Sequence, residues 1–367
     1  MDQDRLSSLD AFRGLTIAAM ILVNNPGTGK FVFPPLRHAD WHGWTPTDLI
    51  FPFFLFIVGV SLALSLSHRK ESGKWEGLIY VKILKRSVIL FGLGLFLQLF
   101  PYFRFEGMRI PGVLQRIAVC FFLTSLLYLH TGKFTRLGLV LVLLAGYWIA
   151  LKLIPVPGVG AGVLDYTGNL PAFIDNKLMP GHLYEPAFDP EGLLSTLPAL
   201  ATALIGTLIG DVLRSARTLR WKNFVLIGAG IVLTPLGLVL NRWMPINKKI
   251  WTSSYVIFTA GAALLLLAAC FFLMDILRWR KWAFLFLVFG TNSIAAYAGS
   301  GIMAKLIRLV FVPAAGGRIP VQQYIYEKLL APWAGPYVGS LLWPIALIII
   351  WLFILWPLYR KKIFIKV

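Results

Sequence analysis

Long apolar runs recur along the chain at short intervals, and they constrain its fold more than any other feature. A helix needs about 20 mostly apolar residues to cross the hydrocarbon core of a bilayer. The sequence of 367 residues contains about ten such runs, near 11–25, 46–66, 83–101, 112–130, 136–154, 192–213, 222–241, 253–275, 282–303 and 338–358. We therefore predict an all-α polytopic membrane protein with about ten transmembrane helices, forming a single transmembrane domain over 1–367.

Composition and charge support a membrane protein and argue against a nucleic-acid partner. Hydrophobic residues make up 58% of the chain and charged residues 14%, against roughly 45–50% and 25% in soluble proteins. The net charge of +19 comes from basic residues spread between the apolar runs, an arrangement typical of membrane topology. The first run has an acidic start and lacks a small-residue cleavage site, so we predict a retained helix there instead of a signal peptide.

The distribution of basic residues predicts the orientation in the membrane. Ten spans place both termini on one side, and that side carries 20 of the 35 Lys and Arg residues, including Arg5, Lys74 and Lys366, against 13 on the other. Because cytoplasmic loops are enriched in Lys and Arg, we predict cytoplasmic termini. The larger outer loops are then about 26–45, 155–191 and 304–337, and the stretch VQQYIYEKLLAPW in the last of them is predicted to form an interfacial helix.

The densest group of polar residues brackets the first outer loop. Asn24 ends the first run, His38 lies in the loop, and Asp48 begins the second run. A neutral histidine transfers protons near pH 7 when a carboxylate fixes its tautomer, and Asp48 suits that role. The Asn24 amide suits a developing oxyanion. The residue types alone equally describe an interfacial histidine bound to a loop carbonyl. No metal is predicted, because His38 and His42 flank no H-E-x-x-H pattern.

A second set of polar residues is predicted within the spans, where each is a candidate for function. Arg13 has two alternatives, an ion pair with Asp10 or a bound phosphate. Arg116 either extends to the headgroups or acts in function. Asn292, about ten residues into the ninth run, is expected near the bilayer centre and needs polar partners there. There is no G-x-x-x-x-G-K-[ST] and no G-x-S-x-G, so nucleotide hydrolysis and serine-hydrolase chemistry are unsupported.

Six sequence blocks carry a resemblance to a known family. They are RLSSLDAFRGLTIAAMILVNN, HADWHGWTPTDLIFPFFLFIVGVS, RIPGVLQRIAV, DPEGLLSTLPA, NKKIWTSSYV and GTNSIAAY, and they extend from the first span to the ninth. Together they resemble the membrane acetyltransferase family typified by heparan-alpha-glucosaminide N-acetyltransferase and its bacterial relatives. The block that begins at His38 is long and specific for that family.

The resemblance implies a function and assigns roles to residues. It implies that an acetyl group moves from cytoplasmic acetyl-CoA to the amine of a glucosamine residue across the bilayer. It puts the catalytic role on His38, with Asn24 and Asp48 matching the family's asparagine and aspartate. Arg13, Arg116 and Asn292 are then hypothetical contacts of the CoA path. A bacterial inner-membrane location and a homodimer rest on the resemblance alone.

Our leading hypothesis is an acetyl-CoA-dependent acetyltransferase that acts on an amino sugar at the periplasmic face. His38 acts either as a general base or as a carrier of the acetyl group. Asp40, Asp189 and Glu191 are read as candidates for the acceptor's ammonium or as solvated loop carboxylates. One rival is a transporter of a sugar or peptidoglycan fragment, which suits a ten-span bundle with central polar residues. The other is an O-acyltransferase that acts on a glycan hydroxyl.

Overall fold

The computed structural model describes residues 6–72, 77–314 and 317–365, and in these ranges the chain is mostly helical. Short 3-10 turns precede α2 at Pro34–Leu36 and Pro46–Leu49, and another precedes α10 at Lys281–Ala283. The α-helices are α1 (Ser7–Asn24), α2 (Ile50–Ser72), α3 (Leu78–Leu99), α4 (Val113–His130), α5 (Lys133–Leu153), α6 (Leu170–Leu178), α7 (Thr196–Arg214), α8 (Leu219–Leu240), α9 (Ser253–Phe271), α10 (Phe284–Thr291), α11 (Ser293–Leu309), α12 (Val321–Tyr324), α13 (Ala331–Ala334) and α14 (Pro336–Arg360).

Within the described ranges, seven helices are long and apolar enough to cross a membrane, or up to eight if the bent pair of α10 and α11 is one span. The remaining two predicted spans correspond to α1 and α3. Helix α1 carries Asp10 and Arg13, and α3 carries three basic residues near its start. A polytopic helical membrane protein is therefore confirmed, and the count of ten stays a prediction. Arg5, Lys74 and Lys366, used to predict the orientation, lie outside the described residues.

The last third of the chain departs from the prediction in two details. The ninth predicted span is not one helix, because α10 and α11 are bent by 76° at Asn292. The chain is also not purely helical, since Phe311–Ala314 (β1) pairs antiparallel with Gly317–Pro320 (β2) in a small hairpin. The stretch from Val321 is helical as predicted. Helix α11 continues to Leu309, so the outer loop predicted from 304 begins several residues later.

Helix α1 lies at the centre of the bundle and contacts α2, α9, α10, α11 and α14. It approaches α10 most closely at Gly14 and Gly290, where a Cβ on either residue would overlap a backbone carbonyl of the other helix. Small residues permit such close helix crossings in membranes. The outward faces of α5 and α8 remain apolar and exposed, with Phe134 at 77% and Phe224 at 73%. These faces are suited to contact lipid.

Candidate functional site

Asp48 organises the loop that carries His38. Its Oδ1 lies 2.6 Å from His38 Nδ1, and its Oδ2 accepts hydrogen bonds from the backbone N–H groups of Ala39 and Thr45, both at 3.0 Å. The Asp48 side chain is 1% exposed, whereas that of His38 is 47% exposed. A buried carboxylate at Nδ1 fixes the proton there and makes Nε2 the ring nitrogen that can accept a proton. Asp48 therefore caps the start of its helix and also orients His38.

A second segment of the chain is held against this loop. Gly43 has a φ of +99°, a conformation that side-chain-bearing residues rarely adopt, and its N–H donates to the Ile246 carbonyl at 2.8 Å. Asn247 is fully buried, and its Oδ1 accepts from the N–H groups of Lys249 and Ile250 at 2.7 and 3.1 Å. These bonds form a tight turn that presents Lys248 to the loop.

Lys248 completes a three-residue cluster. Its Nζ lies 3.0 Å from His38 Nδ1, 3.3 Å from His38 Nε2 and 3.6 Å from Asp48 Oδ1. Burial lowers the pKa of Lys248 from the ordinary value of a lysine, and the carboxylates of Asp48 and Glu191 oppose that shift. The cluster therefore places a cation and a buried carboxylate on one imidazole ring.

The cluster opens into a cavity of about 440 Å³, which we call the His38 cavity. Asn24 lines it together with His38 and Asp48, so the structure brings the three predicted catalytic residues to one space. Trp41 and Tyr184 supply aromatic surface to the same cavity. The Trp41 indole donates to the Leu164 carbonyl at 2.8 Å, which fixes the ring at the cavity wall.

Arg109 joins two outer segments at the edge of this cavity. Its guanidinium binds Asp189 through two hydrogen bonds of 2.8 and 2.6 Å, pairs with Glu191, and lies 4.6 Å from the centre of the Tyr184 ring. Burial acts to lower the pKa of Arg109, but the hydrogen bonds and charges of Asp189 and Glu191 outweigh it and raise the pKa. The cross-link fixes the segment 184–191 over the cavity.

The acidic residues of the outer segments have different surroundings. The Asp189 side chain is fully buried and the Glu191 side chain is 9% exposed. The interpretation of these two as solvated loop carboxylates is therefore wrong, because Arg109 holds both. Asp40 is exposed and is absent from the lining of the His38 cavity. Glu185 and Glu191 line the cavity and place two carboxylates at its wall.

A second cavity of about 460 Å³, the Arg13 cavity, lies among α1, α2, α3, α4 and α11. Arg13 and Arg86 line it, and its walls are otherwise largely apolar, with Ile17, Phe54 and Leu90 among them. The Arg13 guanidinium donates to Asp10 at 2.9 Å and to Ser61 Oγ at 2.6 Å, so the predicted pair with Asp10 is confirmed.

The two cavities share residues that line both. These are Met20, Val113 and Tyr297. Met20 follows Arg13 by two turns of α1 and precedes Asn24 by one turn. The linings therefore adjoin along one face of α1, between the cluster at its C-terminal end and the arginines near its N-terminal end.

Arg116 and Asn292 line neither of these cavities. Arg116 is 2% exposed, donates to the Gly192 carbonyl at 3.0 Å and lies 5.1 Å from the centre of the Trp251 ring. Its extension to the headgroups is therefore excluded. The Asn292 side chain holds the C-terminal segment, donating to the Ile363 carbonyl at 3.1 Å and accepting from the Ile365 N–H at 2.8 Å. Contact of either residue with the cofactor stays a prediction.

Comparison with known proteins assigns the family. The family model described as "Heparan-alpha-glucosaminide N-acetyltransferase, catalytic" matches residues 5–237. The chain belongs to this family. It is 30% identical to the heparan-alpha-glucosaminide N-acetyltransferase of Homo sapiens over 422 aligned positions, which cover 99% of this chain and 60% of that protein. It is 28% identical to the protein of that name from Mus musculus, of which it covers 61%. The chain thus spans about three fifths of the length of these relatives.

The heparan-alpha-glucosaminide N-acetyltransferase family model covers Asn24, His38 and Asp48 but ends before Lys248. Sequence reasoning also missed Lys248, which is 210 positions from His38 and was visible only as part of the NKKIW block. It did not single out Arg86 as a candidate site residue either. Two signals were present, a lysine pair that directly follows Asn247 and an arginine near the start of the third apolar run.

Proposed function

We propose that this protein transfers an acetyl group from acetyl-CoA, held in the Arg13 cavity, to the amine of a glucosamine-type sugar held in the His38 cavity. The observation that carries the proposal is the His38–Asp48–Lys248 cluster at the end of a cavity that adjoins a second cavity with two arginines. Membership of the heparan-alpha-glucosaminide N-acetyltransferase family supplies the reaction class. The name of the human relative supplies the acceptor class.

The Arg13 cavity fits the chemistry of CoA. Arg13 and Arg86 supply cations for phosphates at the end near the start of α1. Ile17, Phe54 and Leu90 supply an apolar wall for a flexible acyl arm. Asn292 holds the C-terminal segment, whose Phe364 and Ile365 close one side of this cavity. When bound, acetyl-CoA supplies an activated acyl group as a thioester.

The residues of the His38 cavity then have distinct roles. Glu185 and Glu191 attract the acceptor ammonium, and Trp41 and Tyr184 provide surfaces for a sugar ring. His38 Nε2 removes a proton from the ammonium, so that the neutral amine attacks the acyl carbon. Lys248 and Asn24 stabilise the negative charge that develops on the acyl oxygen. The proton on Nε2 passes to the departing thiolate, and the second proton of the acylated nitrogen leaves to water.

His38 also suits a two-step route. In that route Nε2 attacks the thioester carbon, the C–S bond breaks and the CoA thiolate departs; the neutral amine then attacks the acetyl carbon, the Nε2–acetyl bond breaks, and the nitrogen releases a proton to water. Both routes need the hydrogen bond that His38 Nδ1–H donates to the Asp48 carboxylate. They differ in whether an acetyl group becomes covalently attached to the protein. Cytoplasmic termini, and an acceptor on the opposite side of the membrane, belong to the same proposal.

The test uses purified full-length protein, acetyl-labelled CoA and glucosamine. Wild type is expected to place label in the sugar, and His38→Ala to reduce the rate by about 10²–10⁴-fold. His130→Ala is the matched control, because His130 lies at the end of α4 and outside both cavity linings. Label on the protein without acceptor indicates an acetyl carrier, and its absence a general base. Equal rates in wild type and His38→Ala would contradict the proposal.

The rival functions give separate results. An O-acyltransferase continues to label a sugar whose amine is already acetylated, whereas an N-acetyltransferase does not. A transporter moves the sugar across sealed vesicles without CoA. The bend at Asn292 is one feature that transporters share, but among the described helices it is the only such break.

A further inference from the structure

A third cavity of about 310 Å³ lies beside the His38 cavity, between the end of α3, the start of α4 and α11. We call it the Lys305 cavity after the residue that marks it. We propose that it binds an anionic group, a phosphate or a carboxylate, that is covalently attached to the acceptor sugar. The inference rests on the proposed function, because the sugar's amine lies in the His38 cavity.

The position of the Lys305 cavity suits a neighbouring group on the same acceptor. Its lining shares five residues with that of the His38 cavity, namely Met20, Asn24, Arg109, Val113 and Tyr297. Asn24 is exposed and belongs to both linings. A sugar with its amine near His38 therefore has this space directly beside it.

The charges of the two cavities are opposite in character. Lys305 and Arg308 line the Lys305 cavity, and its described lining residues include no Asp or Glu. The Lys305 ammonium donates to the carbonyls of Leu97 and Phe100, the latter at 2.8 Å, which fixes the cation at the end of α3. Arg308 Nε donates to Gln322 Oε1 at 3.2 Å, and no described carboxylate pairs with either cation. Cations held without a carboxylate partner attract an oxyanion.

Two amides in this lining have polar atoms without partners. Gln115 is 3% exposed and its Nε2 has no hydrogen-bond partner, although it lines the cavity. Gln98 donates to the Pro111 carbonyl at 2.8 Å, but its Oε1 is buried and unpartnered. A buried polar atom without a partner carries a desolvation penalty that a polar guest removes. A buried donor at Gln115, in a lining that also holds two cations, therefore favours a guest with oxygen acceptors.

The two cavities together suit an acceptor that carries both an ammonium group and an anionic group. Glu185 and Glu191 face its ammonium in the His38 cavity, and Lys305 and Arg308 face its oxyanion in the Lys305 cavity. Electrostatic complementarity of this kind gives specificity and fixes the orientation of a ligand. Arg109 lies between the two, but Asp189 and Glu191 already neutralise it.

The experiment measures binding to the purified full-length protein by calorimetry, without acetyl-CoA. Wild type is expected to bind glucosamine 6-phosphate, glucosamine 1-phosphate or a uronate-linked glucosamine disaccharide about tenfold more tightly than glucosamine. The strongest of the three identifies the position and type of the anion. Inorganic phosphate is the fourth ligand. If it binds as tightly as the phosphorylated sugars, the site is one for free anions and the proposal is wrong.

Two substitutions test the residues. Arg308 is exposed. Arg308→Gln is expected to remove the tenfold preference for the anionic sugars while changing the affinity for glucosamine less than twofold. Gln115→Leu is expected to weaken the anionic sugars alone. Arg318→Gln is the control, because Arg318 is exposed on β2 and lies outside this lining. Equal wild-type affinities for charged and neutral sugars, or an unchanged preference in Arg308→Gln, would overturn the inference. Failure of the proposed acetyl transfer would show instead as absence of labelled glucosamine in turnover.

Discussion

The His38 cavity and the Arg13 cavity adjoin each other but are built by different means. Around His38, loop segments that are far apart in sequence are cross-linked by short hydrogen bonds, such as those to Asp48 and from Gly43 to Ile246. Around Arg13, the walls are largely apolar helix faces, and the charged residues of the described lining are two arginines. The difference indicates that the first region is built to hold reacting atoms in a fixed geometry. The second is built to accommodate a long, partly apolar ligand.

Breaking the bond between His38 and Asp48 is the most severe test of this comparison. In Asp48→Asn the carboxylate that accepts the hydrogen bond from His38 Nδ1–H becomes a neutral amide, which no longer fixes the tautomer of the imidazole. We therefore expect kcat to fall by about 10²–10⁴-fold, as for other oriented histidines. Steady-state kinetics with glucosamine measure the change. Asp40→Asn is the control, since Asp40 is exposed outside the cavity lining.

The same substitution separates catalysis from folding. If Asp48 served only to cap its helix, Asp48→Asn would leave both the melting temperature and kcat nearly unchanged, because an asparagine Oδ1 still accepts from the backbone N–H of Thr45 and caps a helix about as well as aspartate. Our account expects kcat to fall while the melting temperature changes little.

Lys248 gives the next largest effect and a pH signature. Lys248→Met is expected to lower kcat by about 10–100-fold through loss of a charge near the acyl oxygen. Burial lowers the pKa of Lys248, while Asp48 and Glu191 raise it and Lys249 lowers it. As pH rises the ammonium loses its proton below the ordinary pKa of lysine, so activity should fall on the alkaline side. His38, in direct contact, is the other titratable group that faces it.

Lys248→Arg sharpens this prediction. A guanidinium stays charged, so the alkaline decline in kcat/KM should move to higher pH even if the rate at neutral pH is reduced. Lys152→Met, at the exposed end of α5, serves as the control. An alkaline decline at the same pH in wild type and Lys248→Arg would assign it to another group.

Substitutions of the arginines in the Arg13 cavity should raise KM for acetyl-CoA and change kcat only weakly. Arg86→Gln is expected to raise KM for acetyl-CoA about tenfold, the scale of one lost charge-assisted hydrogen bond, without changing KM for glucosamine. Arg13→Gln should act in the same direction, with an added loss of stability because Arg13 also binds Ser61. Arg220→Gln, an exposed residue of α8, is the control. A change in glucosamine KM alone would remove the arginines from the CoA site.

The sequence predicted the parts of the site that depend on local order. Asn24, His38 and Asp48 bracket one loop between two apolar runs, so their meeting at one end of the bundle followed from the hydropathy pattern. Lys248 could not be placed in this way, because a backbone hydrogen bond from Gly43 to Ile246 brings its segment to the loop. Arg116 and Asn292 were singled out as costly polar residues, but their partners are loop and C-terminal segments that periodicity does not reveal.

The fold shows the same division. Helix positions followed from runs of apolar residues, since burial in lipid requires them. The break between α10 and α11 did not follow from the apolar pattern, because it occurs at Asn292 and no proline marks it in the sequence. Its side chain instead bonds the backbone near Ile363, some 71 residues later. Tertiary contacts of this kind decide where a helix bends, and they lie beyond local sequence reasoning.

Transfer across a sealed membrane tests the central claim most directly. Proteoliposomes loaded with glucosamine receive acetyl-labelled CoA on the outside only, with His38→Ala vesicles in parallel. Our account predicts labelled N-acetylglucosamine inside wild-type vesicles, none inside His38→Ala vesicles, and no CoA in the lumen. If labelled sugar formed only when acetyl-CoA and glucosamine were on the same side of the membrane, the result would contradict our account, in which the two substrates reach the site from opposite sides.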